Sequence, residues 1–362
     1  MQILPPAAIS EIPNESLVDE RLGELLGSAS EGDSAEVARL LSSHAIPGDK
    51  CFEALSLAAR AGHAECVKIL IPRCNPAADN SGPLVWAADG GHAECVKLLI
   101  PVSDPNADGA RPIRQAAAGG HAECVRLLIP ISNANSFGSQ ALSFAASNGH
   151  AECVRLLIPV SGSKDDNSHA LGCAAHKGHA GCVRLLIPVS DPKAHNSQAL
   201  VHAVTSGHTE CVKLLIPVSD TKANQSYALR VAAHLGRTES LRLLVAVSSS
   251  KSVCSQALAW AASAGHTECV RILIPISHPP SERKGLLSSV LAAGHTGIAA
   301  LLIDTDPLVI KSVDLSMSLA QAQMRGRDEL AALLSAIIER ESLSKDSLPA
   351  AKSPQAPSLL RL

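Results

Sequence analysis

The chain has 362 residues, 46% of them hydrophobic but only 2% aromatic, with Phe 3, Trp 2 and Tyr 1. Its 31 Lys and Arg against 34 Asp and Glu give a net charge of −3, which supplies neither the basic excess nor the stacking platforms of a nucleic-acid binder. The apolar mass is Ala, Leu, Val and Ile, which suits closely packed helices better than a β-sandwich and is too apolar for a chain disordered throughout.

Residues 1–16 read as a flexible N-terminal arm. The opening Met1-Gln2-Ile3-Leu4-Pro5-Pro6 has no basic segment leading into an apolar core, so no secretory signal peptide is expected. No apolar run approaches the roughly 18–20 residues of a membrane helix, so no membrane partner is expected. The eleven cysteines are an odd number and below the density of a disulfide scaffold. These features predict a soluble cytoplasmic chain in a reducing compartment, the alternative being secretion without a signal peptide into a host cell.

From there the chain repeats itself. Gly-His falls at Gly62, Gly91, Gly120, Gly149, Gly178, Gly207, Gly265 and Gly294, with Gly236-Arg237 filling the gap, and each step is 29 residues. Looser copies surround Gly32 and Gly326. One unit shows the local pattern. Ser139 is a candidate helix N-cap, and Ala141, Leu142, Ala145 and Ala146 form one apolar stripe. Gly149 supplies a left-handed helix end. A second helix places Cys153, Val154, Leu157 and Ile158 inward and Glu152 and Arg155 outward, and Pro159 stops it. Each helix is marginal alone, so only stacking buries its second side. The repeats are predicted to fill residues 17–341, with caps at about 17–49 and 314–341, and the Ser/Pro-rich residues 342–362 form a disordered tail.

These residues resemble the ankyrin family. Its first-helix motif is echoed by Gly82-Pro83-Leu84-Val85-Trp86-Ala87 and Arg111-Pro112-Ile113-Arg114-Gln115-Ala116, and its second helix by Asn148-Gly149-His150-Ala151-Glu152-Cys153-Val154. The resemblance spans roughly residues 20–340. It implies an all-α fold, an ankyrin-like α-solenoid of about eleven helix–turn–helix repeats with shortened inter-repeat loops. The period of 29 rather than about 33 implies that the projecting hairpin is shortened or lost. Ser-Gln-Ala-Leu often replaces Thr-Pro-Leu-His.

The chemical motifs do not point to catalysis. His-x-x-Cys recurs from His63/Cys66 to His266/Cys269, but each unit supplies two zinc ligands where a structural site needs four. Helices about 8–10 Å apart hold equivalent residues of adjacent repeats too far apart for a shared metal or a disulfide. No metal, cofactor or catalytic residue is expected, and the cysteines read as core residues with the histidines as polar turn residues. The basic column Lys68, Lys97, Arg126, Arg155, Arg184, Lys213, Arg242 and Arg271 is preceded by glutamates at i−3 in all units but that of Arg184, predicting a neutralised outer face.

The informative positions are those that vary. Relative to each repeat glycine, these are the sixth, second and first preceding residues, together with the fifth, which holds Trp86, Phe144 and Trp260. The resemblance implies that first helices line a concave binding groove. Arg114, Asn148, His176, Lys177, Arg230 and His234 are the expected partner-binding residues, with Phe144 and Trp260 as anchors. The predicted function is a monomeric, non-enzymatic scaffold for a protein partner. The near-identical units resemble bacterial ankyrin proteins, which suggests an effector acting on host proteins. The alternative is a structural spacer, or an inhibitor or immunity-type module for a co-encoded protein.

Overall fold

The computed structural model describes residues 15–42, 46–248, 250–278 and 285–346, which form helices and no strand. The chain divides into two compact units, residues 1–220 and 221–362. In the first, the helix pairs are α1 (Glu15–Glu31) with α2 (Ser34–Ser42), α3 (Gly48–Ala61) with α4 (Ala64–Leu70), and α5 (Ala78–Asp89) with α6 (Ala93–Leu99). They continue with α7 (Ala107–Gly119) and α8 (Ala122–Leu128), α9 (Ala134–Asn148) and α10 (Ala151–Leu157), α11 (Lys164–Lys177) and α12 (Ala180–Leu186), and α13 (Ala194–Ser206) and α14 (Thr209–Leu215). The second unit holds α15 (Ala223–His234) and α16 (Thr238–Val247), α17 (Lys251–Ala264) and α18 (Thr267–Leu273), α19 (Leu286–Ala293) and α20 (Thr296–Thr305), and α21 (Leu315–Met324) and α22 (Asp328–Asp346). Within each unit first helices pack on first helices and second on second, the arrangement of an α-solenoid.

The ends differ from expectation by a few residues. Helix α1 begins at Glu15, two residues inside the anticipated arm, and the rest of that arm lies outside the described residues. Helix α22 runs to Asp346, past the expected boundary at 341, because no Gly or Pro interrupts the chain before Pro349. Residues 347–362 of the anticipated tail lie outside the described residues.

The repeat interior follows the sequence pattern. Ala141, Leu142, Ala145 and Ala146 are fully buried, as are Cys153, Val154 and Leu157. Each buried Leu is worth about 1.5–3 kcal/mol relative to exposure, and the alanines let helix backbones approach closely. Gly149 ends α9 at φ 83, and Pro159 lies in a single 3-10 turn, Ile158–Val160, that follows α10.

Ser139 is not an N-cap: it lies inside α9, whose first residue is Ala134. Its column does something else. The hydroxyls of Ser81, Ser168, Ser197 and Ser255 accept the backbone N–H of Asp104, Asp191, Asp220 and His278, each 23 residues later, at 2.8–2.9 Å. These bonds tie a first helix to the connector that follows its own second helix. True side-chain caps occur at Ser163, in a reciprocal box with Asp166, and at Ser250.

Where such a cap is absent, several connectors enter the first helix through a left-handed turn. Asp79, Asn80 and Ser81 have φ of 47, 53 and 61, and Asp108, Gly109 and Ala110 and then His195, Asn196 and Ser197 repeat the pattern. Asn and Asp tolerate this conformation because their short polar side chains bond locally.

The histidines are more than polar turn residues. His63, His92, His121, His150, His179 and His208 each carry Nε2 2.8–3.1 Å from a carbonyl oxygen of the preceding repeat: Ser30, Arg60, Asp89, Ala118, Ser147 and His176. A carbonyl can only accept, so Nε2 carries the hydrogen. In the second unit His266 and His295 reach His234 and Ser263 in the same way, and Arg327 takes over at the last repeat, donating to Leu291 and Ala292. The ring of each histidine lies on the glycine of the preceding turn. A Cβ on Gly120, for example, would sit 2.4 Å from His150 Nδ1. Gly-His is therefore one device: the glycine closes one repeat and leaves room for the histidine of the next.

Candidate partner-binding face

The His-x-x-Cys motif separates in space. The histidine turns back to the previous repeat, while Cys66, Cys95, Cys124, Cys153, Cys182, Cys211 and Cys269 are buried. Burial pushes the Cys95, Cys124, Cys153 and Cys182 thiols up to about 11, so they are almost wholly protonated at neutral pH. Among the described residues no group of three His, Cys, Asp or Glu is placed to hold a metal ion. On the outer face Lys68, Lys97, Arg126, Arg155, Lys213 and Arg271 pair with the glutamate three residues earlier, at 2.6–3.8 Å. Both partners are exposed, so each pair adds only tenths of a kcal/mol, but together they neutralise six of the eight positions of the basic column.

The first helices carry the varied side chains. In the first unit Phe144 is 45% exposed and opens on a groove of about 460 Å³ lined by Gln140, Ser143, Asp165, Asp166, His169 and His195. An adjoining groove of about 320 Å³ contains His176 and His202, whose rings meet edge to face at 5.6 Å. The Ser163 backbone N–H, then the Ser163 and Ser139 hydroxyls, hold the Asp166 carboxyl below the usual carboxylate range. Lys177 is exposed at the end of α11. Asn148 is exposed too, and its Nδ2 donates to the Ala118 carbonyl at 2.8 Å, beside His150.

In the second unit Arg230, His234 and Trp260 come together. The Arg230 guanidinium stands 5.6 Å from the Trp260 ring centre and 5.8 Å from that of Tyr227, and His234 meets Trp260 edge-on at 5.5 Å. Tyr227 and Trp260 are 37% and 38% exposed, so this aromatic and guanidinium cluster faces solvent.

Two expected partner-binding residues also brace the fold. Arg114 Nη2 donates to the Asp108 carbonyl in the left-handed turn at 2.7 Å, and Nη1 to Gln140 Oε1 of the next first helix at 3.0 Å. Arg230 does the same with Asn224 and Gln256, at 3.1 and 3.3 Å. The sequence pattern alone had not singled out the ninth residue before each glycine. Gln140, His169, Gln198, Tyr227 and Gln256 stand there, and the first three line the two grooves. That column varies as freely as those chosen, which is the signal that points to it.

Four overlapping segments, residues 25–111, 84–168, 113–194 and 159–227, match the family model for ankyrin repeats. The chain belongs to the ankyrin-repeat family. Ankyrin repeats generally mediate protein–protein interaction. The crystal structure of the human ASB11 ankyrin repeat domain aligns with 55% of this chain and 99% of its own length, at 24% identity and a TM-score of 0.48. No curated protein sequence matches the chain. No helix among the described residues is long and apolar enough to cross a membrane.

Proposed function

We propose that this ankyrin chain is a non-enzymatic scaffold that holds a protein partner on its first-helix face. The observation that carries this reading is the exposure of aromatic rings on that face: Phe144 in one unit, Tyr227 and Trp260 in the other. The chain has only six aromatic residues, and large rings left in water amid otherwise small side chains are the usual anchors of protein interfaces. The neutralised outer column favours a protein over a nucleic acid as partner.

Affinity capture with wild type, Phe144→Ala, Tyr227→Ala/Trp260→Ala and Glu152→Ala/Arg155→Ala tests it. Partners retained by the outer-face variant and lost from an aromatic variant support the reading. Equal recovery by all four proteins, or selective loss from the outer-face variant, overturns it.

A further inference from the structure

The cysteines include one pair that the repeat does not explain. Cys51, in the first turn of α3, and Cys74, just after the 3-10 turn Ile71–Arg73, hydrogen-bond through their side chains. Cys51 is buried and Cys74 half-buried. No later repeat carries both thiols. Where Cys51 stands they have Asn80, Gly109, Gly138, Asn167, Asn196, Gln225 or Cys254, and where Cys74 stands they have serine, as at Ser103, Ser132, Ser190 and, in the repeat of Cys254, Ser277. The two columns face each other elsewhere as well. Asn167 Nδ2 donates to the Val189 carbonyl, one residue before Ser190, at 3.1 Å. The hydroxyls of Ser103, Ser132 and Ser219 are buried, which places the Cys74 column inside the repeat. Backbone proximity agrees: a Cβ on Gly48 would come within 2.7 Å of the Arg73 carbonyl oxygen.

We propose that Cys51 and Cys74 are a redox modification site, two thiols placed to form a disulfide within a single repeat when a hydroperoxide is present. Cys74, the more accessible, reacts first. Its thiolate sulfur bonds to the terminal peroxide oxygen, the O–O bond breaks, and an alcohol (water, for hydrogen peroxide) leaves. Cys51 sulfur then attacks the sulfenic sulfur, the S–S bond forms and water leaves. Two thiols lose two electrons and two protons, and one peroxide is reduced to alcohol and water. The bond fastens the connector after α4 to the start of α3. Burial and the neighbouring Cys51 push the Cys74 thiol up to about 12, so the pair stays reduced under mild conditions and responds to strong or sustained oxidant. This chemistry is independent of any partner on the first-helix face.

The test treats the full chain with hydrogen peroxide, blocks remaining thiols under denaturing conditions and maps the peptides by mass spectrometry. The expected product is a Cys51–Cys74 linked peptide pair that dithiothreitol reverses and that Cys74→Ser abolishes. Serine fills this column in the other repeats, so that variant keeps the fold. The rate should rise about tenfold per pH unit between about pH 7 and 9, as the thiolate fraction does. Ser277→Cys offers a second measurement, since it sets a new thiol in the Cys74 column opposite Cys254, and a link between Cys254 and that new thiol is expected. The proposal fails if Cys74 accumulates as sulfenic or sulfinic acid while Cys51 remains open to alkylation. It also fails if both thiols survive prolonged treatment with excess hydrogen peroxide at about pH 9, or if the thiol introduced by Ser277→Cys is the only one that forms a link.

Discussion

The His150 ring lies against Gly120 and donates from Nε2 to the Ala118 carbonyl oxygen, 3.0 Å away in the preceding repeat. Asn148 Nδ2 donates to the same oxygen at 2.8 Å. One acceptor therefore has two donors, and either keeps it satisfied. Asn148→Ala should cost less than about 0.5 kcal/mol and His150→Ala about 1 kcal/mol, while the double variant should cost more than their sum, because a bared carbonyl carries its full desolvation penalty. Urea unfolding of the four proteins checks this. Strict additivity would show that the two donors do not share the acceptor.

The glycine beneath that ring makes the opposite kind of coupling. Gly120 has φ 78, and a Cβ there would meet His150 Nδ1 at 2.4 Å. Gly120→Ala should therefore cost more than the roughly 1 kcal/mol of a strained left-handed alanine. Adding His150→Ala should recover part of that loss, since the obstructing ring is gone. If the double variant is no more stable than Gly120→Ala alone, ring contact is not what the glycine serves.

Arg184 is the basic-column residue whose repeat has Gly181 in place of the usual glutamate. Gly181 sits in α12, and a Cβ there would have open space, with nothing within 4 Å. Gly181→Glu replaces a first-turn helix glycine and adds an i,i+3 pair with Arg184. It should stabilise the chain by about 1 kcal/mol at low salt, with most of the gain surviving high salt because it comes from the backbone. Thermal or urea unfolding at two salt concentrations separates the two contributions.

The fold was legible because its strongest signal, Gly-His every 29 residues, marks the helix ends, and because Ala141, Leu142, Cys153 and Leu157 repeat as buried positions. The role of the histidines was not, since their acceptor is a backbone carbonyl 32 residues earlier, and a carbonyl has no side-chain identity to read. The handedness of the connectors was equally hidden. Ser163-Lys164-Asp165-Asp166 makes an ordinary capping box, while Asp79-Asn80-Ser81, built from similar turn-forming residues, winds left-handed. At the candidate site, column variation pointed to Phe144, His234 and Trp260, but it gave no sign that Arg114 and Arg230 hold the carbonyls of Asp108 and Asn224. Variation marks a side chain outside the core, and a half-buried guanidinium serves a turn as readily as a partner.

Those arginines and the ring beside them should separate in experiment. Arg114→Ala and Arg230→Ala leave turn carbonyls and a neighbouring glutamine without their donor, so each should lose about 1–2 kcal/mol of stability. Trp260→Ala removes an exposed ring and should stay within about 1 kcal/mol. If the tryptophan variant is the least stable of the three, Trp260 packs the fold and does not anchor a partner.

The capping box at α11 gives the acid limb of stability a specific contributor. The Asp166 carboxyl is held below its usual range first by the Ser163 backbone N–H and then by the Ser163 hydroxyl. A carboxyl whose folded pKa lies below its unfolded value stabilises the fold fully above the unfolded pKa, near 4, and loses that contribution as pH falls through the folded pKa. Asp166→Asn should therefore narrow the difference in unfolding midpoint between pH 6 and pH 3 relative to wild type. As pH falls through the folded pKa and the wild-type carboxyl becomes protonated, the two proteins should converge. Parallel pH curves with a constant offset would show that the Asp166 charge contributes nothing to the cap.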